Sequence, residues 1–189
     1  MDYRSPQSNG CRILEYHHRN STFVRLENEL LSVVVWIDKG ADITEILYKP
    51  IDLDFMWKAP VGITDITHFI PTNASHLGNN LDYYEGGWHE SLPGGGPYSD
   101  HGCEQGLHGE AALLPWSFFV EKDSSEQITI LLKCRLVRIP IDVQKRITMK
   151  RNSAAIFFSE TLTNRSNEKI EFMWGQHPTF GKPFISEYC

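Results

Sequence analysis

The chain has 189 residues, a length that suits one domain with a buried core. Its hydrophobic content of 41% and charged content of 22% are those of an ordinary globular protein. The net charge of −6 argues against a nucleic-acid-binding protein, which would carry a basic stripe. No segment approaches the roughly 20 apolar residues of a membrane span. We therefore expect neither a nucleic acid nor a membrane partner.

The cysteines are widely spaced along the chain, and none forms a C-x-x-C pair. They are Cys11, Cys103, Cys134 and Cys189. This distribution is typical of free thiols in a reducing compartment. The first residues, MDYRSPQSNG, contain no apolar segment of the kind found in a secretion signal. We therefore expect a cytoplasmic protein.

Short alternating and β-branched segments predict an all-β fold. Asp38-Lys39-Gly40 supplies a turn between two of them and predicts a hairpin. The candidate strands cover residues 12–19, 22–27, 30–37, 43–48, 55–57, 116–120, 127–138, 141–150, 154–164 and 169–175. No convincing amphipathic helix, heptad pattern or internal repeat is present. Strand spacing favours an antiparallel β-sandwich or barrel that occupies residues 1–189 as a single domain.

The segment from Tyr83 to Trp116 differs from the rest of the chain. It contains eight glycines, several carboxylates, and the imidazole or thiol groups of His89, His101, Cys103 and His108. Glycine and proline disfavour a helix or central strand, so we predict a long excursion over the surface or rim of the fold. Long loops that carry ionisable groups are often functional sites.

Three motifs resemble the aldose 1-epimerase (galactose mutarotase-like) superfamily, and in particular its uncharacterised branch. They are GGWHESLPGGGP at residues 86–97, GLHGEAALLPW at 106–116 and WGQHPTFGKPF at 174–184. The early segment LLSVVVWIDKGADITEILYK resembles the opening strands of that superfamily. The three motifs follow the family's order, and the resemblance covers most of the chain.

The resemblance implies a large antiparallel β-supersandwich that binds a hexose-type sugar and interconverts its anomers. By motif, His108 corresponds to the histidine that binds the sugar, and His177 to the histidine that protonates the ring oxygen. Mutarotation needs one acid and one base but no metal or other cofactor. Histidine suits the acid role because both of its protonation states exist near neutral pH.

The chain also departs from the family pattern. Family members run well past 189 residues, and their general base is a glutamate in the C-terminal half. The chain therefore resembles a C-terminally truncated form, either a truncated gene product or a fragment. A half-sandwich would leave strand edges and apolar surface uncovered, so we expect a homo-oligomer or poor solubility.

Further candidate residues surround the two histidines in the sequence. Glu90, Glu110 and Gln176 could bind sugar hydroxyls, and either glutamate could replace the missing base. Trp88 and Trp174 could stack on the apolar face of a sugar ring. For the glutamates, solvated or loop-pinning roles are equally compatible with the sequence, and aromatic side chains in such positions more often belong to the core.

Three functional hypotheses follow. The first is a mutarotase-like isomerase with His108 and His177 as catalytic residues. The second is a non-catalytic carbohydrate-binding protein that lacks the base, so enzymatic activity itself stays open. The third is a cupin-like metalloenzyme, since His101, Cys103, His108 and Glu110 offer nitrogen, sulfur and oxygen donors; their spacing matches no strong zinc pattern.

Overall fold

A computed structural model describes residues 2–68, 75, 78–100 and 102–185. It is almost entirely β-structured. The strands are β1 (Arg12–His18), β2 (Ser21–Glu27), β3 (Leu31–Trp36), β4 (Asp42–Tyr48), β5 (Leu53–Asp54), β6 (Trp88–Ser91), β7 (Tyr98–Asp100), β8 (Cys103–Gln105), β9 (Ser117–Asp123), β10 (Gln127–Arg135), β11 (Ile141–Lys150), β12 (Ile156–Asn164) and β13 (Gly175–Pro178). The helical elements are two 3-10 turns, Lys49–Ile51 and Ile66–His68, and the one-turn helix α1 (Gly78–Leu81). None of these helices is long and apolar enough to cross a membrane.

Two antiparallel sheets form the sandwich. The larger sheet has the order β1-β2-β3-β4-β6-β13, with β5 paired to β4. The smaller sheet has the order β12-β11-β10-β9, and β7 and β8 form a separate ribbon. The predicted all-β sandwich of the mutarotase type is confirmed in its antiparallel architecture.

The core lies between the two sheets and follows the alternation of the strands. Val33 and Val35 of β3 point inward, as do Ile128, Ile130 and Leu132 of β10. Inward-facing side chains of this kind supply most of the hydrophobic free energy of folding. We call the side of the larger sheet that faces away from the smaller sheet the outer face.

The outer face carries its own small apolar cluster. Phe23, Val34 and Trp36 are buried there and are covered in part by Tyr16, Ile63 and Ile66. The odd-numbered residues of β3 thus pack in the core between the sheets, and Val34 and Trp36 pack in the outer cluster. Burial on both faces explains why the strand is an almost continuous apolar sequence. Both faces of the larger sheet are therefore partly covered at this position.

The structure corrects two expectations about the chain path. The segment from Tyr83 to Trp116 is not simply a surface excursion, because its residues 88–91 enter the larger sheet as β6. The last strand begins at Gly175, whereas the sequence predicts residues 169–175. Residues 165–174 instead connect β12 of the smaller sheet to β13 of the larger sheet, and no strand among the described residues pairs with them.

Candidate functional site

Strands β6 and β13 bring two distant histidines together on the outer face. The two strands pair in antiparallel register, with His177 opposite His89 and Gln176 opposite Glu90. Because directly paired residues share a face, His89 and His177 form one pair and Glu90 and Gln176 form another on the opposite side. The short ladder therefore separates its imidazoles from its other polar groups.

His108 reaches the same place from a tight loop. Its φ is +61°, and that of Gly109 is +72°, so both residues occupy the left-handed region. The carbonyl of His108 accepts a hydrogen bond from Leu92 N at 3.1 Å, which ties the loop to the end of β6. A Cβ atom at position 109 would lie 2.3 Å from the carbonyl oxygen of Leu92, so only glycine fits there.

The three imidazole rings form one compact group, which we call the histidine cluster. Their ring centroids are separated by 4.7 Å between His89 and His108, 4.7 Å between His89 and His177, and 4.5 Å between His108 and His177. His89 Nε2 and His108 Nδ1 share a hydrogen bond of 2.8 Å. His89 is 1% exposed, whereas His108 and His177 are half-buried. A ligand on the outer face would therefore meet His108 and His177, with His89 beneath them.

The environment keeps the deeper imidazole neutral. Burial, the positive charge of Lys39 and the adjacent His108 and His177 lower the pKa of His89 to about 2, against the opposing influence of Glu90. Burial and the proximity of His177 also lower the pKa of His108. Near neutral pH these two rings are therefore uncharged, and the other ring nitrogen of His89, Nδ1, is buried without a hydrogen-bond partner among the described residues.

Tyr84 completes the wall of the histidine cluster. Its ring meets those of His89 and His177 edge-on, with centroids 5.6 and 6.2 Å away. Its hydroxyl forms a hydrogen bond with the hydroxyl of Thr179, just beyond β13. Burial raises the pKa of Tyr84, so the phenol stays protonated near neutral pH. The ring limits access to the imidazoles from this side.

A buried charge cluster supports the same strands from the inner face. Lys145 of β11 lies 2.6 Å from Glu90 Oε1 and 3.4 Å from Glu160 of β12. Glu90 Oε2 accepts hydrogen bonds from Trp174 Nε1 at 2.9 Å and from Gln176 Nε2 at 2.7 Å. Burial disfavours ionisation of Glu90, but the charge of Lys145 and the hydrogen bonds with Glu160, Lys145 and Gln176 outweigh it and lower its pKa to about 2. Both carboxylate oxygens of Glu90 therefore accept hydrogen bonds from neighbouring side chains between the sheets.

The second acid of this cluster behaves differently. Burial and the neighbouring Glu90 raise the pKa of Glu160 to about 7, against the attraction of Lys145. One ammonium group therefore balances one ionised carboxylate, while the other carries a proton over part of the neutral range.

Another buried charge group lies beside the histidine cluster on the outer face. Lys39 Nζ is 2.5 Å from Asp42 Oδ2 and 3.0 Å from Glu85 Oε2. All three side chains are at most 4% exposed. Burial raises the pKa of Asp42, and burial together with Asp42 raises that of Glu85 to about 8 despite Lys39. A single cation thus serves two carboxyl groups, which share a proton near neutral pH.

The structure places the sequence-derived candidates in three locations. His108 and His177 meet in the histidine cluster. Glu90, Gln176 and Trp88 lie together on the inner side of β6 and β13, where Trp88 Nε1 donates to Gln176 Oε1 at 2.7 Å. These three residues therefore lie on the face of β6 and β13 opposite to His89 and His177, and they stabilise the pairing of the two strands from that side.

Glu110 lies apart from both groups. Its carboxylate accepts hydrogen bonds from the backbone N–H groups of Val137, Arg138 and Ile139, at 2.7 to 3.3 Å. It thereby pins the turn between β10 and β11.

The donor set considered for a metal does not converge among the described residues. His101 lies outside them, and Cys103 Sγ contacts the carbonyl oxygen of Arg138 at 3.4 Å. His108 belongs to the histidine cluster, and Glu110 to the turn described above. Within the described part of the chain, the side chains close enough to share an ion are Asp2, Glu15 and His17, at the exposed edge of β1. Cys11, Cys103 and Cys134 are free thiols, whereas Cys189 lies outside the described residues.

Comparison with known families identifies the chain. A family model described as a domain of unknown function, DUF4432, matches residues 18–188. The chain belongs to the DUF4432 family. A comparison of this DUF4432 chain with curated protein sequences finds no match.

Solved structures with mutarotase-type names share the fold of the DUF4432 chain. A candidate aldose 1-epimerase from Klebsiella pneumoniae superposes with a TM-score of 0.79 at 17% identity, over 97% of this chain and 52% of the other. A galactose mutarotase related enzyme from Lactobacillus acidophilus gives 0.54 at 22% identity, over 97% and 50%. A galactose mutarotase-like protein from Lactobacillus casei gives 0.54 at 15%, over 84% and 49%. The chain spans about half the length of these structures, and the predicted resemblance to this superfamily is confirmed at the level of the fold.

Sequence motifs identified only part of the histidine cluster. His108 and His177 stand in recognisable motifs, but His89, Tyr84 and the buried group around Lys39 were not assigned a role. One signal was available for His89: in WHES it alternates with Glu90 and so has to face the opposite side of any strand. A strand over residues 88–91 places His89 and Glu90 on opposite faces of the sheet, and so would have indicated separate roles for the two side chains.

Proposed function

We propose that the histidine cluster binds a hexose-type sugar and interconverts its α and β anomers. The observation that carries the proposal is the convergence of three imidazoles on the outer face, with two of them accessible and the third buried behind them. The shared fold of structures with mutarotase-type names supports it. The sugar itself and the catalytic activity are parts of the proposal.

The chemistry requires two proton transfers at neighbouring oxygens. Ring opening removes the proton from the anomeric hydroxyl and delivers one to the ring oxygen, and both oxygens are bonded to the same carbon. Two imidazoles whose centroids are 4.5 Å apart can reach such a pair of oxygens together. His177 acts as the acid toward the ring oxygen, and the roles reverse when the ring recloses on the other face.

The base in this proposal is another member of the histidine cluster. The two glutamates considered from the sequence are engaged elsewhere, Glu90 with Lys145 and Glu110 with the backbone. His108 is neutral because its pKa is lowered, and its hydrogen bond to His89 orients the ring. We therefore assign His108 to binding the anomeric hydroxyl and accepting its proton, while His89 holds the correct tautomer. Trp88, Glu90 and Gln176 support β6 and β13 from behind.

The test measures anomer exchange by magnetisation-transfer NMR for a panel of free aldoses. The wild-type chain should accelerate exchange of at least one sugar, and His177→Ala should reduce the acceleration by roughly 10²-fold or more, as expected when a general acid is removed. His17→Ala is the matched control, because His17 is exposed on β1 and remote in the sheet from β13. Circular dichroism should show that both variants are folded.

The outcomes separate the hypotheses. No acceleration for any aldose would overturn the isomerase assignment, and ligand-observed NMR on the same samples would then test for carbohydrate binding without catalysis. Acceleration that survives in His177→Ala would place the acid on another residue.

A further inference from the structure

The N-terminal segment lies along β1, the edge strand of the larger sheet. Its backbone forms hydrogen bonds with that strand, from Ser5 N to Ile13 O at 2.9 Å and from Glu15 N to Tyr3 O at 2.7 Å. These bonds fix the path of the chain on both sides of Tyr3. Asp2 is therefore held beside the last residues of β1.

Three side chains with metal-binding groups meet at this position, and we call them the N-terminal triad. Glu15 and His17 are separated by one residue on β1, so they share a face of the strand. Asp2 joins them from the N-terminal segment, and one donor atom of each residue lies within 4.8 Å of those of the other two. Asp2 and His17 are exposed and Glu15 is half-buried. An ion in solution can therefore reach all three groups.

The spacing of the imidazole and the aspartate matches that of two ligands of one ion. His17 Nδ1 and Asp2 Oδ1 are 3.3 Å apart. Zinc binds nitrogen and oxygen ligands at about 2.0–2.2 Å in a tetrahedral arrangement, which places two ligand atoms about 3.4 Å apart. The Glu15 carboxylate reaches the same point by side-chain rotation, because its donor atom is already within 4.8 Å of the others.

Neighbouring groups orient the two members of the N-terminal triad on β1. His17 Nε2 lies 3.4 Å from Thr22 Oγ1, so the ring nitrogen that faces away from Asp2 has its own polar neighbour. Glu15 Oε2 accepts a hydrogen bond from Tyr3 N at 2.8 Å. Ligating imidazoles and carboxylates in metal sites are held by hydrogen bonds of this kind. They leave His17 Nδ1 and the second oxygen of Glu15 for an ion.

The charge and the donor types of the N-terminal triad favour a divalent transition-metal ion. Asp2 and Glu15 supply two carboxylates, and in the described part of the chain neither forms an ion pair with a lysine or arginine. Calcium and magnesium prefer oxygen ligands alone, whereas an imidazole nitrogen suits zinc. One nitrogen and two oxygens are a donor set that zinc accepts in proteins.

We propose that Asp2, Glu15 and His17 form a zinc site that fastens the N-terminal segment to β1. Water takes the fourth position, since the triad supplies three ligands and is open to solvent. The zinc site is separate from the histidine cluster, because β1 and β13 are the opposite edges of the larger sheet. Its role is to stabilise the N-terminal segment, and it is independent of the proposed isomerase.

The first experiment measures zinc affinity by isothermal titration with zinc chloride. The wild-type chain should bind zinc at the N-terminal triad, and Asp2→Asn, Glu15→Gln and His17→Gln should each weaken this binding by roughly tenfold or more. His18→Gln is the matched control and should leave the affinity unchanged. His18 is also exposed, but it faces the opposite side of β1, where its ring centroid lies 6.3 Å from that of Phe23. Circular dichroism should show that all variants are folded.

The second experiment tests the fastening of the N-terminal segment by limited trypsin digestion. Arg4 is exposed, and the bond between Arg4 and Ser5 lies within the segment. Zinc chloride should slow cleavage of this bond by roughly fivefold or more in the wild-type chain, because a ligand that binds the closed segment lowers the population of the open one. The same zinc concentration should not slow cleavage in His17→Gln.

The outcomes are decisive for the N-terminal triad. No zinc binding, an affinity that survives all three triad variants, or an equal loss in His18→Gln would overturn the site. Displacement of zinc by an equal concentration of calcium chloride would also overturn it, because the imidazole would then not act as a ligand. Binding that depends on the triad without protection of the Arg4–Ser5 bond would reject the fastening role.

Discussion

His89 is the residue on which the histidine cluster depends. It is nearly fully buried, it bonds to His108, and its ring stacks on that of His177 with an interplanar angle of 15°. A buried imidazole resists protonation because the charged form loses its hydration. The same burial that keeps His89 neutral makes it a pH-dependent contributor to stability.

The sign of this contribution follows from its pKa. The pKa of His89 is about 2 in the folded chain and about 6.5 in the unfolded chain, so the unfolded state binds more protons below pH 6.5. Its contribution to the free energy of unfolding should therefore fall by about 2 kcal/mol between pH 7 and pH 5. Denaturant unfolding at pH 5, 6 and 7 should show a shallower pH dependence for His89→Asn than for the wild type.

The exposed His68 provides the control for this measurement. His68→Asn should reproduce the wild-type profile. Parallel profiles for His89→Asn and the wild type would show that the imidazole is protonated without penalty, in conflict with its burial.

At the scale of elements, local sequence patterns predicted most strands, whereas the positions of β6 and β13 depend on their pairing with each other. Strands β1 to β4 and β9 to β12 lie close to the segments expected from alternation. β6 was missed because it has four residues between glycine- and proline-rich segments. Residues 169–175 alternate like a strand, yet the strand begins at Gly175, since only there does the chain meet β6. Pairing between residues nearly ninety positions apart leaves no local signal.

The loop that carries His108 gives a prediction at this scale. In Gly109→Ala the new Cβ would collide with the carbonyl oxygen of Leu92, in addition to the strain of a positive φ. The free energy of unfolding should fall by about 1–3 kcal/mol, as measured by denaturant titration. Anomer exchange should fall as well, because the collision displaces His108 from His89.

Gly102 offers a matched comparison. Its φ is +78°, but a Cβ there would meet no atom within 4 Å. Gly102→Ala should therefore show the backbone strain without the collision, and it should cost less than Gly109→Ala. Equal costs for the two variants would show that the contact with Leu92 is unimportant.

At the scale of the whole molecule, apolar side chains remain exposed on one side of the larger sheet. Phe180, Phe184, Ile185 and Trp57 are each 37–46% exposed, and the ring centroids of Phe180 and Phe184 are 5.5 Å apart. β12 and β13 are edge strands of their sheets among the described residues. Contiguous apolar surface and open strand edges favour association with another chain. The homo-oligomer expected from the sequence therefore remains our prediction.

Light scattering over a concentration series tests this surface. The wild-type chain should increase in mean mass with concentration, and the double variant Phe180→Ser, Ile185→Ser should reduce the increase. Val137→Ser is the control, because Val137 is 77% exposed on the turn after β10, away from these residues. A stable monomer at all concentrations would contradict the prediction.

The charge cluster between the sheets has a consequence for folding accuracy. In β6, His89 and Glu90 occupy adjacent positions and face opposite sides, so a shift of pairing by one residue would exchange them. The imidazole would then enter the core, and Lys145 would lose the closer of its two carboxylate partners while it kept Glu160. Breaking a buried ion pair costs up to about 3–5 kcal/mol, a large part of the stability of a domain this size, and Glu160 would offset part of that cost. A chain with shifted register is therefore less stable than the native one. The Glu90–Lys145 ion pair on the inner face thus favours the same register that places His89 opposite His177 on the outer face.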